Sequence, residues 1–528
     1  MRKRNWLLLT LVFLLVAFSV VGCSSPDDDE DPPEAKDYAV LLRTEEIVVF
    51  WDPSDTWSNE VVAFQNIYES LLRYDPFNDE FDYVLATDYS VSEDGLSWVF
   101  ELREGVQFHA GNPFNAEAVK YSIGRTIERG MGASFIWDAV SEINVLDEYT
   151  VEFVLDYPAP LDMIASAAYA SYIFDPVVTE EKGHDWFLEG NAAGTGPYMP
   201  ESWTPGDELV LTRFDDYWGG WDKDHFEKAV LKVVPEPSTA RQMLEAGQAD
   251  WAERLPFEHI EHLKDLPDME VTVSPSFQNL LGLLNTEKEP LDNQLVRQAL
   301  NYAFPYDSVI EDIMMGFARQ SRGPVPHGLW GHGENLYQYN TDLDKAAELL
   351  ADAGYPDGGL DLLLTYASGN EIQRRIAELY KAELDKIGVN LEIRGMPWES
   401  QWDLAKAPNP EDRQDIFVFY WWPDAPDPIS WLYGLFYTEE PIGFNLSYFS
   451  SSDYDALIDE GSVLAGADRD AAIEAYIKAQ EIVVDEAVSL FIYDEEYVRA
   501  MRKNFKGFVD NPVYPHVVYL YDVYRAKE

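Results

Sequence analysis

The chain carries a single cysteine, Cys23, near the end of an uncharged run from Asn5 to Ser25 that follows Arg2, Lys3 and Arg4. Everything after it must fold without a thiol. Disulfides, Cys-based catalysis and Cys metal sites are excluded, so stability has to come from core burial. The composition permits this: 46% of residues are hydrophobic, 14% are aromatic and 16 are Trp, enough large apolar surface for a sizeable core. The net charge of -58, from 96 acidic and 38 basic residues, therefore sits on a folded body and does not mark disorder. A length of 528 residues suggests two to four packing units at about 100–200 residues each. So negative a surface repels phosphate, which argues against nucleic-acid and anionic-membrane partners. The acidity is explained equally by solubility and by a saline milieu, where screening shortens repulsion to about 10 Å or less.

A basic start, an apolar run and a small residue before the cleavage point follow export-signal logic and place the body outside the cytoplasm. A run close to the roughly 20 residues that span a bilayer also reads as an uncleaved anchor. Val20-Val21-Gly22-Cys23 resembles the lipobox of bacterial lipoproteins, in which the Cys is acylated and becomes the new N-terminus. That resemblance implies a signal peptide over 1–22, lipidation at Cys23, and a body lipid-anchored on the outer face of the cell membrane or in the periplasm, touching membrane through the anchor only. Residues 23–37, charged and Pro-containing through Asp27 to Glu34, read as an acidic flexible tether. A calcium loop is rejected there, because Pro32 stands where such a loop needs Gly.

From Tyr38 onward, short β-like runs such as Ile47–Phe50 and Trp98–Leu102 alternate with punctuated helices, which gives an α/β fold. One helix starts at Asn115 as N-cap, carries Val119, Ile123 and Ile127 four apart, and ends at Gly130. Others run from Leu295 to before Pro305, from Asp342 to Gly354, and from Arg469 to about Ala487. Val513 to Tyr524 is dense in Val and Tyr and suits a strand packed into a sheet.

Chemistry-bearing patterns are mostly absent. His259 and His262 lack the i, i+4 spacing that presents two imidazoles to zinc. Gly190 to Pro197 lacks the Lys-Ser/Thr of a phosphate loop, and Pro197 removes a backbone donor. No Gly-x-Ser-x-Gly elbow occurs. No catalytic residue, cofactor or metal site is expected.

Five longer segments, in order, carry a resemblance. Leu102 to Val119 (LREGVQFHAGNPFNAEAV) comes first, then Gly194–Tyr198 with Phe214–Gly220, then Val296–Ala303, then Ala347–Tyr355, then Trp421–Pro428 with its Trp-x-x-Asp-x-x-Asp-Pro run. Together they resemble the extracytoplasmic solute-binding proteins, family 5, the peptide, dipeptide and nickel receptors of ABC importers. The resemblance implies a two-lobe periplasmic-binding-protein-like fold (type II, cluster C) with an inserted extra subdomain. One lobe would comprise 38–72, 190–284 and 505–528, the insert 73–189 and the second lobe 285–504, with Asn285 and Thr286 near the hinge. It implies capture without catalysis: the lobes close over a ligand to the extent that the closed state binds it better. The protein would act as a monomer that delivers its ligand to an ABC permease and its ATPase subunits.

Carried over residue by residue, the resemblance makes Asp424 the partner of a peptide α-ammonium. Arg374 and Arg375 fall in the region that supplies a carboxylate-binding Arg. Tyr420, Trp421 and Trp422, with Trp398 and Trp402 nearby, are candidate aromatic walls, although strand alternation would turn Trp421 away from Tyr420 and Trp422. Trp51 belongs to a Trp-Asp-Pro loop that borders the cleft in relatives. Oligopeptide is the first expectation for the ligand, oligosaccharide the second and a metal complex the third. A tethered secreted hydrolase is the competing reading from another class.

Overall fold

The computed structural model describes residues 38–526, apart from 58, 222, 223, 424, 467 and 515. The leader, Cys23 and the tether lie outside the described residues, and so does Asp424. Eleven strands form the main sheet: β1 (Tyr38–Arg43), β2 (Tyr198–Thr204), β3 (Glu208–Arg213), β4 (Lys228–Val233), β5 (Trp251–Ala252), β6 (Met269–Leu284), β7 (Ala318–Arg319), β8 (Leu360–Ala367), β9 (Val389–Met396), β10 (Ile416–Trp421) and β11 (Ser489–Arg502). Their order is β9-β8-β10-β6-β11-β5-β1-β4-β3-β2, with β7 on β11. Each half has a parallel part: β1 lies parallel to β4 and β5, and β8 parallel to β9 and β10. The long antiparallel pair β6–β11 joins the halves.

Strands covered on both faces read as unbroken apolar runs, and β1 shows why. Ala39 and Leu41 enter the main core, while Val40 and Leu42 enter a second cluster with Leu244, Ile260 and Val498. A separate antiparallel sheet, Ala86–Val91, Ser97–Leu102, Thr150–Leu155 and Val140–Asp147 in that order, shares no strand with the large one.

The expected helices form with their caps. Asn115 accepts from the Ala118 N–H, and Gly130 closes the helix Ala116–Arg129 in the left-handed region at φ 60°. Asn293, Asp342 and Asp468 cap Gln294–Tyr302, Leu343–Asp352 and Arg469–Asp485 in the same way. The glycines of the second segment serve packing. A Cβ on Gly194 would lie 2.0 Å from the Ile67 carbonyl oxygen, and one on Gly196 2.7 Å from that of Asn66. Between them, Thr195 donates to Glu69, which is buried and also accepts from Tyr217 and Trp218. Two distant motif segments thus converge on one carboxylate, which burial pushes above the usual range.

Three expectations about elements fail for physical reasons. Ile47–Phe50 is a loop: the Val49 and Phe50 amides donate to the buried Glu60 carboxylate, which replaces a strand partner. The described residues of 513–524 are mostly buried but irregular. Only Tyr524–Arg525 pairs, with Phe505–Lys506, and the Asn66 side chain satisfies Val518 and Leu520 in place of a ladder. Asn285 and Thr286 sit inside one half, bonded to Asp415 and Ser447. The break in β6 falls earlier, between Pro275 and Asn279, where the strand gains β10 as a second neighbour.

Candidate functional site

Parallel strands that end side by side leave a crevice beyond their carboxyl ends. Here β8 ends at Ala367, β9 at Met396 and β10 at Trp421. Beyond them lies a cavity of about 500 Å³, lined from this side by Ala367, Asn370, Gln373, Trp398, Trp402, Phe419, Tyr420, Trp421, Trp422 and Phe444. Trp57, Phe135 and Tyr169 supply the remaining wall. Ten of the thirteen lining residues are aromatic, and several of the rings remain solvent-accessible. Exposed rings gathered in one concavity mark a binding surface better than scattered ones do.

Each wall has a local cause. Trp398 and Trp402 are one turn apart on the helix Trp398–Ala405, and their ring centroids stand 5.4 Å apart. Phe444 packs between Trp402 and Trp421. The Trp421 indole donates to the Ser430 carbonyl, which fixes that ring. Asn370 caps the helix Glu371–Asp385 through the Gln373 N–H, and the Gln373 side chain accepts from the Ala367 N–H. Tyr169 donates to the Pro423 carbonyl at 2.7 Å.

The structure brings together Trp398, Trp402, Tyr420, Trp421 and Trp422, as expected from sequence. Alternation does not divide them, because β10 stops at Trp421 and its end opens into the cavity. Three other expected residues lie elsewhere. Trp51 is 1% exposed, packed on Phe64 and Trp203 in the core. Arg374 is bound to Glu371 and Glu378 along its own helix, and Arg375 donates to the Asp312 carbonyl. The i−3 and i+4 carboxylates beside Arg374 account for its place on the outer face.

No charged side chain lines the cavity among the described residues. Charge lies beyond Tyr420, whose hydroxyl meets that of Tyr493 at 3.0 Å. Arg254 and Glu495 are both within electrostatic reach of Tyr420. Arg254 follows β5, which pairs with β11, the strand that carries Glu495. Arg254 is solvent-accessible, has protein on several sides and forms no ion pair among the described residues. Burial raises the Glu495 carboxyl, while Arg254 and Arg499 work against the rise. Sequence reasoning missed Arg254, Glu495, Trp57, Phe135 and Tyr169. Each is a single residue in a loop, a short 3-10 helix or a long strand, and the only available signal was an aromatic or charge without periodic companions.

The family model for bacterial extracellular solute-binding proteins, family 5 (Middle), matches residues 80–441. The chain belongs to this family. The family 5 chain is 29% identical over 520 residues to the probable D,D-dipeptide-binding periplasmic protein DdpA of Escherichia coli (strain K12), covering 96% of this chain and 97% of that one. It is 28% identical over 464 residues to the glutathione-binding protein GsiB of Salmonella typhimurium, covering 87% and 88%. Among solved structures it is similar to the periplasmic binding protein DppA from Helicobacter pylori in complex with peptide STSA, with TM-score 0.78, 26% identity, and coverage of 93% and 98%. NikA from Brucella suis in complex with Fe(III)-EDTA shares the fold, with TM-score 0.82, 21% identity, and coverage of 93% and 100%. The two-lobe binding-protein fold expected from sequence is therefore present, and the family 5 chain is a solute receptor of ABC importers, not an enzyme. Among the described residues no helix is long and apolar enough to cross a membrane.

Proposed function

We propose that this family 5 receptor captures short oligopeptides bearing aromatic or apolar side chains. It holds them between the lobe built from 38–72, 190–284 and 505–528 with the insert 73–189, and the lobe built from 285–504. The carrying observation is the cavity of about 500 Å³ with ten aromatic walls at the carboxyl ends of three parallel strands, within the roughly 300–1,000 Å³ typical of small-ligand sites. The rings take the side chains. Arg254 faces the peptide carboxylate, and Asp424, two positions after Trp422, meets the α-ammonium. The ligands named for relatives, a D,D-dipeptide, glutathione and the peptide STSA, support a peptide. The receptor is exported, anchored through an acylated Cys23, and hands its ligand as a monomer to a permease with ATPase subunits.

A second reading, oligosaccharide capture, is favoured by one observation: the described lining is aromatic and carries no charge, as stacking on sugar faces would use. Thermal shift of the purified protein against tri- to pentapeptides and against oligosaccharides separates the two, since bound ligand raises stability as RT ln(1 + [L]/Kd). Stabilisation by peptides is the expected result, weakened more by N-acetylation in wild type than in Asp424→Ala. Stabilisation by sugars alone would transfer the assignment to the second reading.

A further inference from the structure

Away from the aromatic cavity, a second cavity of about 310 Å³ is lined by Arg319, Gln320, Arg322, His327, His332, Glu334, Gln338 and Asp494. Three metal-ligating side chains converge in it: one ligand atom each from His327, His332 and Glu334 lies within 4.8 Å of the others. The His327 Nδ1 stands 3.6 Å from a Glu334 carboxylate oxygen, and the two imidazole centroids are 5.4 Å apart at 89°. Two His and one Glu with a remaining open position form a donor set that suits zinc.

The surroundings prepare the set. The His332 Nδ1 bonds the Val325 carbonyl at 2.8 Å, which fixes the proton there and leaves Nε2 with a free lone pair. The His327 backbone N–H donates to Asp494, which also accepts from Ser321, so the loop is tied to β11. Arg319 and Arg322 oppose a cation, and Glu334 and Asp494 on the same lining offset them.

The other convergent set, Asp52, Asp55 and His184, differs in kind. Its carboxylates are engaged by Arg125 and Arg129 and leave no ligand free.

We propose that His327, His332 and Glu334 bind one divalent transition-metal ion, with zinc as the fitting probe. The ion pins the 325–334 loop against Asp494 of β11, the strand whose Tyr493 contacts the cavity wall at Tyr420. The site stands apart from solute capture and takes no part in it as a ligand.

The test is calorimetric titration of EDTA-treated full chain with zinc chloride, in about 0.15 M salt to screen the acidic surface and with excess magnesium to occupy weak carboxylate sites. One equivalent is expected. Glu334→Gln, at an exposed side chain that leaves the fold intact, should weaken it about ten-fold or more, and His327→Ala with His332→Ala should abolish it. Cobalt offers a second readout, with tetrahedral visible bands expected in wild type and lost in Glu334→Gln. His259→Ala with His262→Ala serves as the unaffected control. Absence of a stoichiometric site, or a full equivalent retained by the double His variant, would overturn the proposal.

Discussion

The Tyr169 hydroxyl donates a 2.7 Å hydrogen bond to the carbonyl of Pro423, so the residue just before Asp424 is held by a side chain that itself lines the cavity. The bond joins a segment beside the small sheet to the end of β10, across the space a ligand would fill. A neutral hydrogen bond of this kind contributes about 1 kcal/mol. Tyr169→Phe is expected to bind a stabilising peptide about five-fold more weakly, measured by calorimetry. An unchanged affinity would remove this bond from the closed state.

Trp398 is 46% exposed yet lines the cavity, so its ring is expected to matter more to a ligand than to the fold. Trp398→Ala should lose about 1–2 kcal/mol of ligand affinity while the melting temperature of the unliganded protein hardly moves. A large drop in melting temperature would make it a core residue.

Arg254→Gln should weaken peptides with a free carboxylate more than their C-terminal amides, because only the former use the guanidinium fork. Arg374→Ala, at a side chain committed to Glu371 and Glu378, should leave both unchanged. Equal losses for acid and amide with Arg254→Gln would place the carboxylate elsewhere.

Asp427 closes the Trp-x-x-Asp-x-x-Asp-Pro run from inside the protein. It is 1% exposed, accepts from the Ile429 N–H through one oxygen, and has no partner for the other among the described residues. Burial raises its carboxyl to about 7. The native state therefore keeps a proton that the unfolded chain releases near pH 4, and stability falls as pH rises toward about 7. Asp427→Asn should gain on the order of 3 kcal/mol over wild type between pH 5 and pH 8, read by urea unfolding at the two values. An equal difference at both would show that the carboxyl titrates normally.

Asp52 behaves in the opposite sense. Burial would raise its carboxyl, but hydrogen bonds from Arg125 and His184 outweigh that and hold it at about 2. Its stabilisation, on the order of 2 kcal/mol, is full above the unfolded value near 4 and is lost as pH falls through about 2. Asp52→Asn should destabilise at pH 6, with the difference shrinking toward pH 2 in acid-unfolding curves. A constant difference would refute the linkage.

Local signals gave away what local physics governs. The cap at Asn115, the helix start at Asp342 and the apolar stripes behind them are readable, because a cap is decided within four residues. The Trp398, Trp402 and Tyr420–Trp422 walls were readable because they cluster in sequence. Trp51 misled because an indole is as good a core residue as a ligand wall, and only its packing on Phe64 and Trp203 decides which. Arg374 reads equally as a carboxylate partner or a solvated helix residue, and its ion pairs with Glu371 and Glu378 decide for the helix. Arg254, Tyr169 and Phe135 come near the cavity through long-range packing, which no short stretch encodes. The tail from Val513 failed as a strand because Asn66, more than four hundred positions earlier, supplies its hydrogen bonds.

The two long strands that cross between the halves of the main sheet are ladder neighbours of each other. Paired ribbons of this sort bend readily normal to their plane but resist sliding within it, since slippage would break every rung at once. The rungs are interrupted between Pro275 and Asn279, which leaves that stretch the least braced part of the ribbon.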